Sequence, residues 1–250
     1  MSGSLVSKVA IVTGSSTGIG EAVARALSEN GARVVVSSSK SEAEGNTVAQ
    51  SLTEAIYVKA DIAEEAGCRA LVDAAQRQWG RLDILVNNAG TTQVIPHQDL
   101  ESVTDEVFRR LFEVNVLGTW RMIRLAAPLL KESGDGVIVN VSSLAGIRPT
   151  GSSIPYAVSK AAVVHMTRLA AVALSPEVRV NAVAPGLVDT RWTAQWTKAR
   201  EQWSRVAPLA PLRGLVTPTD VACVCMSLIG ARQVTGEVIA VDGGMGLRSH

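Results

Sequence analysis

Short runs of apolar residues alternate along this chain with longer stretches in which apolar positions recur every three or four residues. The runs are "VAIVT" from Val9, "RVVVSS" from Arg33, "AIYVKAD" from Ala55, "LDILVNNAG" from Leu82, "GVIVNVSS" from Gly136, "VRVNAVAPG" from Val178 and "EVIAVDGG" from Glu237. Most are continuously apolar and rich in Val and Ile, the pattern of strands covered on both faces. Between the first two, "IGEAVARALSENG" sets Ile19, Val23, Ala26, Leu27 and Asn30 at helical spacing and supplies Gly31 as a stop. Repetition of this strand-helix-strand unit predicts an α/β fold, a doubly wound parallel sheet with helices on both faces. No repeat or linker interrupts the pattern, so residues 1–250 are expected to form a single domain. Ligands of such sheets sit beyond the carboxyl ends of the strands, where the strand order reverses. The polar tails of the runs are therefore where chemistry is to be sought.

Composition narrows the class of partner. With 24 basic against 23 acidic residues the net charge is +1, which gives no field to gather nucleic acid or an anionic membrane. A small molecule is the expected partner. The cysteines, Cys68, Cys223 and Cys225, are odd in number, and the C-x-C pair matches neither a zinc pattern nor a redox C-x-x-C. Buried free thiols in a reducing compartment are expected. Met1 to Lys8 lacks a basic segment followed by an apolar one, and no later stretch is expected to span a bilayer, so the reading is cytoplasmic. His97, His165 and His250 are scattered without ligand spacing, and no metal site is expected.

The first strand tail is "TGSSTGIG", Thr13 to Gly20, followed directly by the first helix. Gly14 permits a tight turn, and Gly18 and Gly20 are expected to let backbone approach a phosphate. The helix start then points free N–H groups and a positive dipole end at the anion. The pyrophosphate of a dinucleotide suits that place, which makes Gly14, Ser16, Thr17, Gly18, Ile19 and Gly20 candidate binding residues.

The next stretch of interest is "IPYAVSK", read as the start of a helix and holding one of only two tyrosines, Tyr57 and Tyr156. A phenol with a pKa near 10 needs about 4 kcal/mol of help to ionise usefully near pH 7. Lys160 lies four residues on, the same face of a helix. At roughly 4 Å its charge would contribute about 4 kcal/mol at an effective dielectric of 20.

In chain order, "TGSSTGIG", "NNAG" at Asn87 to Gly90, "YAVSK" at Tyr156 to Lys160 and "PG" at Pro185 to Gly186 resemble the motifs of a single-domain short-chain dehydrogenase/reductase, across nearly the whole chain. The resemblance implies a Rossmann-type sheet. It implies Tyr156 as proton donor to a carbonyl oxygen, and Lys160 as the group that lowers the tyrosine pKa and holds the nicotinamide ribose. It selects Ser143, over its neighbour Ser142, to grip the substrate oxygen, and Asn115 of "VNVLG" to position a lysine-bound water that reloads the tyrosine. It assigns Asp61 and Ile62 to the adenine, Asn88, Ala89 and Gly90 to the adenosine side, Pro185 and Gly186 to the strand end beside the cofactor, and Val188 and Thr190 to the nicotinamide amide.

Relatives that use NAD place a carboxylate at the end of the second strand, which here falls on Ser38. The run Ser38, Ser39, Lys40 offers hydroxyls and an ammonium instead, so NADP(H) is the preferred cofactor, with NAD(H) possible. A substrate lid is expected at about residues 187–215, where Trp192, Trp196 and Trp203 would share one helix face. Trp192 and Trp196, with Ser143 and Tyr156, are the candidate substrate contacts; the stripe equally suits core or a subunit interface. The expected activity is hydride transfer between NADP(H) and a ketone or secondary alcohol. The alternatives are a 3-oxoacyl thioester reductase and a non-catalytic NADP(H)-binding redox sensor. The resemblance implies a homotetramer, or a homodimer.

Overall fold

A computed structural model describes residues 5–190, 208 and 210–247. Each of the seven apolar runs forms a strand: β1 (Val9–Val12), β2 (Arg33–Ser38), β3 (Ala55–Lys59), β4 (Ile84–Asn87), β5 (Gly136–Val141), β6 (Val178–Pro185) and β7 (Val238–Val241). All pair in parallel, in the order β3-β2-β1-β4-β5-β6-β7. The chain grows outward from β1 to β3, then returns to the other side of β1 with β4. The order therefore reverses between β1 and β4, and a crevice opens at their carboxyl ends.

The side-chain period of two sends alternate residues of the central strands to opposite faces. Val12, Val34, Val36, Ile84 and Val86 pack beneath α1 (Gly18–Glu29), α2 (Glu42–Ser51) and α7 (Pro218–Gly230). Ile11, Val35, Leu85 and Ile138 pack against α3 (Glu65–Trp79), α5 (Thr119–Glu132) and α6 (Ile154–Leu174). The edge strands β3 and β7 are only partly buried, unlike the continuously covered strands between them. Ahead of α5 lie α4 (Asp105–Phe112) and a π-helix, Glu113–Gly118.

Two expectations from the sequence change here. Cys68 and Cys225 are buried, and burial pushes their thiols up to about 11 and about 12, but Cys223 is exposed. The helix α6 is long and apolar enough, at a mean hydropathy of 1.3, to match a bilayer span, where no stretch of that kind is expected. Its apolar character serves packing against the sheet, where Val163, Val164, Ala170 and Ala171 are buried.

At the opposite end of the sheet from the crevice, the buried carboxylate of Asp83 ties β1 to β4. It accepts from Val9 N and Lys8 Nζ, both at 2.9 Å, and from Arg81 Nε at 2.8 Å and Nη2 at 2.6 Å. Burial pushes this carboxyl up, but the bonds from Arg81, Lys8 and Val9 outweigh it and hold the group below its usual 3.8. A depressed carboxyl contributes stability above its unfolded pKa and loses it as pH falls through the folded one. Asp83→Asn is expected to cost about 2 kcal/mol at pH 7. Urea denaturation should show the gap between variant and parent closing below about pH 4.

Candidate active site

The crevice is a cleft of about 810 Å³ that runs across the carboxyl ends of the strands. Its first wall is the β1–α1 loop. Gly14 has φ +64°, and a Cβ there would lie 2.9 Å from the Cα of Ala89, so only glycine lets the two loops meet. Thr13 binds them together, its Oγ1 accepting from Asn88 N and Ala89 N at 3.0 Å each. The Asn88 amide donates back to Thr13 O at 3.0 Å and Gly14 O at 2.9 Å. Asn88 thus braces the loop while lining the cleft.

Gly18 opens α1 with φ +62°, and Thr190 crosses to within 3.3 Å of where its Cβ would stand. Gly20 differs from its expected role. It does not line the cleft; a Cβ there would lie 2.4 Å from Gly14 O and 2.5 Å from Asn88 Nδ2. The third glycine therefore serves close packing of helix on loop. Ser16, Thr17 and Ile19 line the same wall.

At the far end the cleft is lined by Ser38, Ser39 and Lys40, with Asp61 and Ile62 opposite. Ser39 and Lys40 are exposed and Ser38 is buried. The Ser38 hydroxyl lies 3.0 Å from Ser41 O and 2.9 Å from the Tyr57 hydroxyl. Its single proton goes to one or the other, so Ser38 faces the cleft as an acceptor. Ile62 packs over Gly118, where a Cβ would stand 2.8 Å from its Cδ1.

The near end is built by β5 and α6. Ser142 and Ser143 both line the cleft, but their hydroxyls go different ways. Ser142 Oγ donates to the Lys160 carbonyl at 2.9 Å and anchors the helix, whereas Ser143 Oγ accepts from Ala145 N at 3.2 Å and stands near enough to the Tyr156 hydroxyl to lower its pKa. Ser153 caps α6, its Oγ accepting from Tyr156 N at 3.4 Å, and thereby fixes the turn that carries the tyrosine. Lys160 is 6% exposed; its Nζ donates to Val141 O at 2.9 Å and lies 5.9 Å from the centre of the Tyr156 ring.

The ionisation differs from expectation. Burial pushes the Tyr156 phenol above its ordinary 10, with the Ser143 hydroxyl working against the rise. The Lys160 ammonium donates to the Val141 carbonyl and does not reverse the effect of burial. Burial also lowers Lys160 from 10.5 to about 8. The result is a phenol kept protonated at neutral pH beside a lysine close to its own titration.

Asn115 is buried in the middle of the π-helix and does not line the cleft. Its Nδ2 donates to Thr91 O and to Ser159 Oγ, both at 2.9 Å, and its Oδ1 accepts from Thr91 N at 2.8 Å. With these bonds the amide's protons are fully used inside the protein, so a water at Asn115 meets either its backbone carbonyl, which also accepts from Thr119 Oγ1 at 2.8 Å, or the remaining lone pair of Oδ1. That atom and Lys160 Nζ both face Gly90, 3.2 Å and 3.4 Å from where a Cβ would stand.

Ala89, Pro185, Gly186 and Val188 also line the cleft. Trp192 and Trp196, and most of the expected lid, lie outside the described residues. Thr91, Thr92, Arg110 and Glu113 also line the cleft and carry no signal in the sequence, because they lie on loop and helix positions with no motif around them. Among the described residues no cluster of His, Cys, Asp and Glu could hold a metal.

A cleft with a glycine turn and a helix start at its middle, hydroxyls and an ammonium at one end and a Ser-Tyr-Lys group at the other fits an extended dinucleotide whose reactive ring reaches the tyrosine. Residues 14–246 match a family model described as Enoyl-(Acyl carrier protein) reductase. A protein described as ketoacyl reductase 2 of the granaticin polyketide synthase of Streptomyces violaceoruber is 51% identical, over 94% of this chain and 95% of that one. The L-fucose dehydrogenase of Oryctolagus cuniculus is 37% identical over 97% of this chain and 86% of its own. Among solved structures, one described as a short-chain dehydrogenase/reductase from Burkholderia xenovorans superposes with a TM-score of 0.89 at 38% identity, covering 96% of this chain and 98% of that one. The motifs, their convergence in one cleft and this likeness over almost the full length have a single explanation: the chain belongs to the short-chain dehydrogenase/reductase family, as an oxidoreductase of the CH–OH/C=O couple that uses a nicotinamide dinucleotide.

Proposed function

We propose that the protein reduces a ketone to a secondary alcohol with NADP(H) as the preferred cofactor. The observation that carries this reading is the meeting of Ser143 and Tyr156 in one cleft, with Lys160 one turn along the tyrosine's helix and buried beside them. The β1–α1 loop and the start of α1 would hold the pyrophosphate, Asp61 and Ile62 the adenine, Lys160 the nicotinamide ribose, and Val188 and Thr190 the carboxamide. When bound, the cofactor supplies the hydride that adds to the carbonyl carbon. Ser143 orients the carbonyl oxygen, and Tyr156 gives that oxygen its hydroxyl proton as negative charge develops there. The phenolate left behind is stabilised by the Lys160 ammonium and by the Ser143 hydroxyl.

A 2′-phosphate would meet the exposed Ser39 and Lys40, while Ser38 could only accept. Ser38→Asp is expected to shift the ratio of NADPH to NADH affinity by about 100-fold toward NADH, because a carboxylate repels a phosphate and accepts from a ribose hydroxyl. Fluorescence titration of parent and variant with both cofactors tests this. Oxidation of the reduced cofactor on adding ketones and 3-oxoacyl thioesters tests the activity. No turnover across that panel, with cofactor bound, would favour a redox sensor instead.

Reduction of a 3-oxoacyl thioester is the second reading, favoured by the ketoacyl reductase described among the relatives. We also propose a cytoplasmic homotetramer or homodimer. The support for assembly is the apolar surface that α5 and α6 leave exposed at Trp120, Val158, Leu169 and Val172.

A further inference from the structure

Ser159 lies inside "YAVSK" yet has no part in the chemistry proposed above. Its side chain is wholly buried, at 0% exposure. Its hydroxyl donates to the Tyr156 carbonyl at 2.7 Å, one turn back along α6. With the proton so engaged, the oxygen accepts from Asn115 Nδ2 at 2.9 Å. A serine bonding back to its own helix is common and by itself means little. The second bond is different, because it leaves the helix and ends on the π-helix.

The planar amide of Asn115 meets both backbone groups of Thr91 on one side and Ser159 on the other, so it has a single orientation. That orientation points Oδ1 to the space beside Gly90, which Lys160 Nζ also faces. Ser159 therefore joins the helical turn that carries Tyr156 and Lys160 to the helix that carries Asn115.

We infer that Ser159 is a positioning residue of the proposed reduction: it fixes Asn115 relative to Lys160, and through them the path by which Tyr156 regains its proton. The inference rests on the reductase reading. Ser159→Ala would leave one buried N–H of Asn115 without an acceptor and remove the tie that holds the π-helix against α6, so Asn115 would shift relative to Lys160.

The test compares kcat, KM and cofactor Kd for the parent, Ser159→Ala, Asn115→Ala and the double variant, with thermal unfolding of each. Ser159→Ala is expected to lower kcat by about tenfold with cofactor Kd held within about twofold. In the Asn115→Ala background the same substitution is expected to change kcat by less than about twofold, because the group it acts through is gone. An unchanged kcat, or an equal fall in both backgrounds, would overturn the inference and leave Ser159 a structural residue. Should Ser159→Ala fail to fold, Ser159→Cys, whose thiol is a weak acceptor, carries the same comparison. Failure of the reductase reading is distinguishable: the parent would then turn over no more than Tyr156→Phe, whatever Ser159 does.

Discussion

Tyr156→Phe is expected to lose about 1,000-fold in kcat while keeping its affinity for the nicotinamide cofactor. The substitution removes only the hydroxyl that meets Ser143 and leaves the ring in its buried seat against Leu111 and Ala145. Folding and the dinucleotide cleft are therefore expected to be retained, and the loss isolates proton transfer. Steady-state rates with the best ketone or thioester, beside a fluorescence titration of the reduced cofactor, are the measurement. A variant that keeps a tenth or more of parent activity would show that another group delivers the proton, and the role of the tyrosine would be wrong.

Lys160→Met is expected to abolish turnover and, at pH 7, to make the protein more stable. The lysine is lowered from 10.5 to about 8 by burial, so at neutral pH the fold bears the cost of a desolvated ammonium, about 3 kcal/mol. Methionine fills the space without the charge, at the loss of the bond to Val141 O, worth about 1 kcal/mol. The net of about 2 kcal/mol should raise Tm by about 6 °C. The pH dependence follows from the lowered pKa. Between about 8 and 10.5 the unfolded chain binds a proton that the folded parent does not, so parent stability rises with pH through that window. The advantage of Lys160→Met should therefore shrink above pH 8 and be gone by about 10.5. A variant less stable than the parent at pH 7 would mean that the ammonium is better solvated than its burial indicates.

Much of this site is legible in the sequence. The tight turn at Gly14, the helix start at Gly18 and the Tyr156–Lys160 spacing are relations between residues at most a few positions apart, and backbone geometry converts such spacing directly into placement. The strand runs are as plain, because parallel strands covered on both faces must be continuously apolar. Beyond these, only the family resemblance prefers Ser143 to Ser142. Tyr57 stands out as one of two tyrosines but carries no visible task, since nothing near it in the chain reveals that it meets Ser38 across two strands.

The sequence by itself determined the strands, their polar tails and the Tyr156–Lys160 spacing, all properties of local pattern, while Ser143 and Asn115 came from the family resemblance. Tertiary structure alone decided which serine hydroxyl meets the tyrosine, that Gly20 packs a helix rather than approaching a phosphate, that the Ser38 proton is engaged within the protein, and that Ser159 reaches Asn115 across 44 residues of chain. It also decided the direction of the Tyr156 shift. Each of these depends on what distant segments bring together and on how much water they exclude, and neither quantity belongs to any residue before the chain has folded.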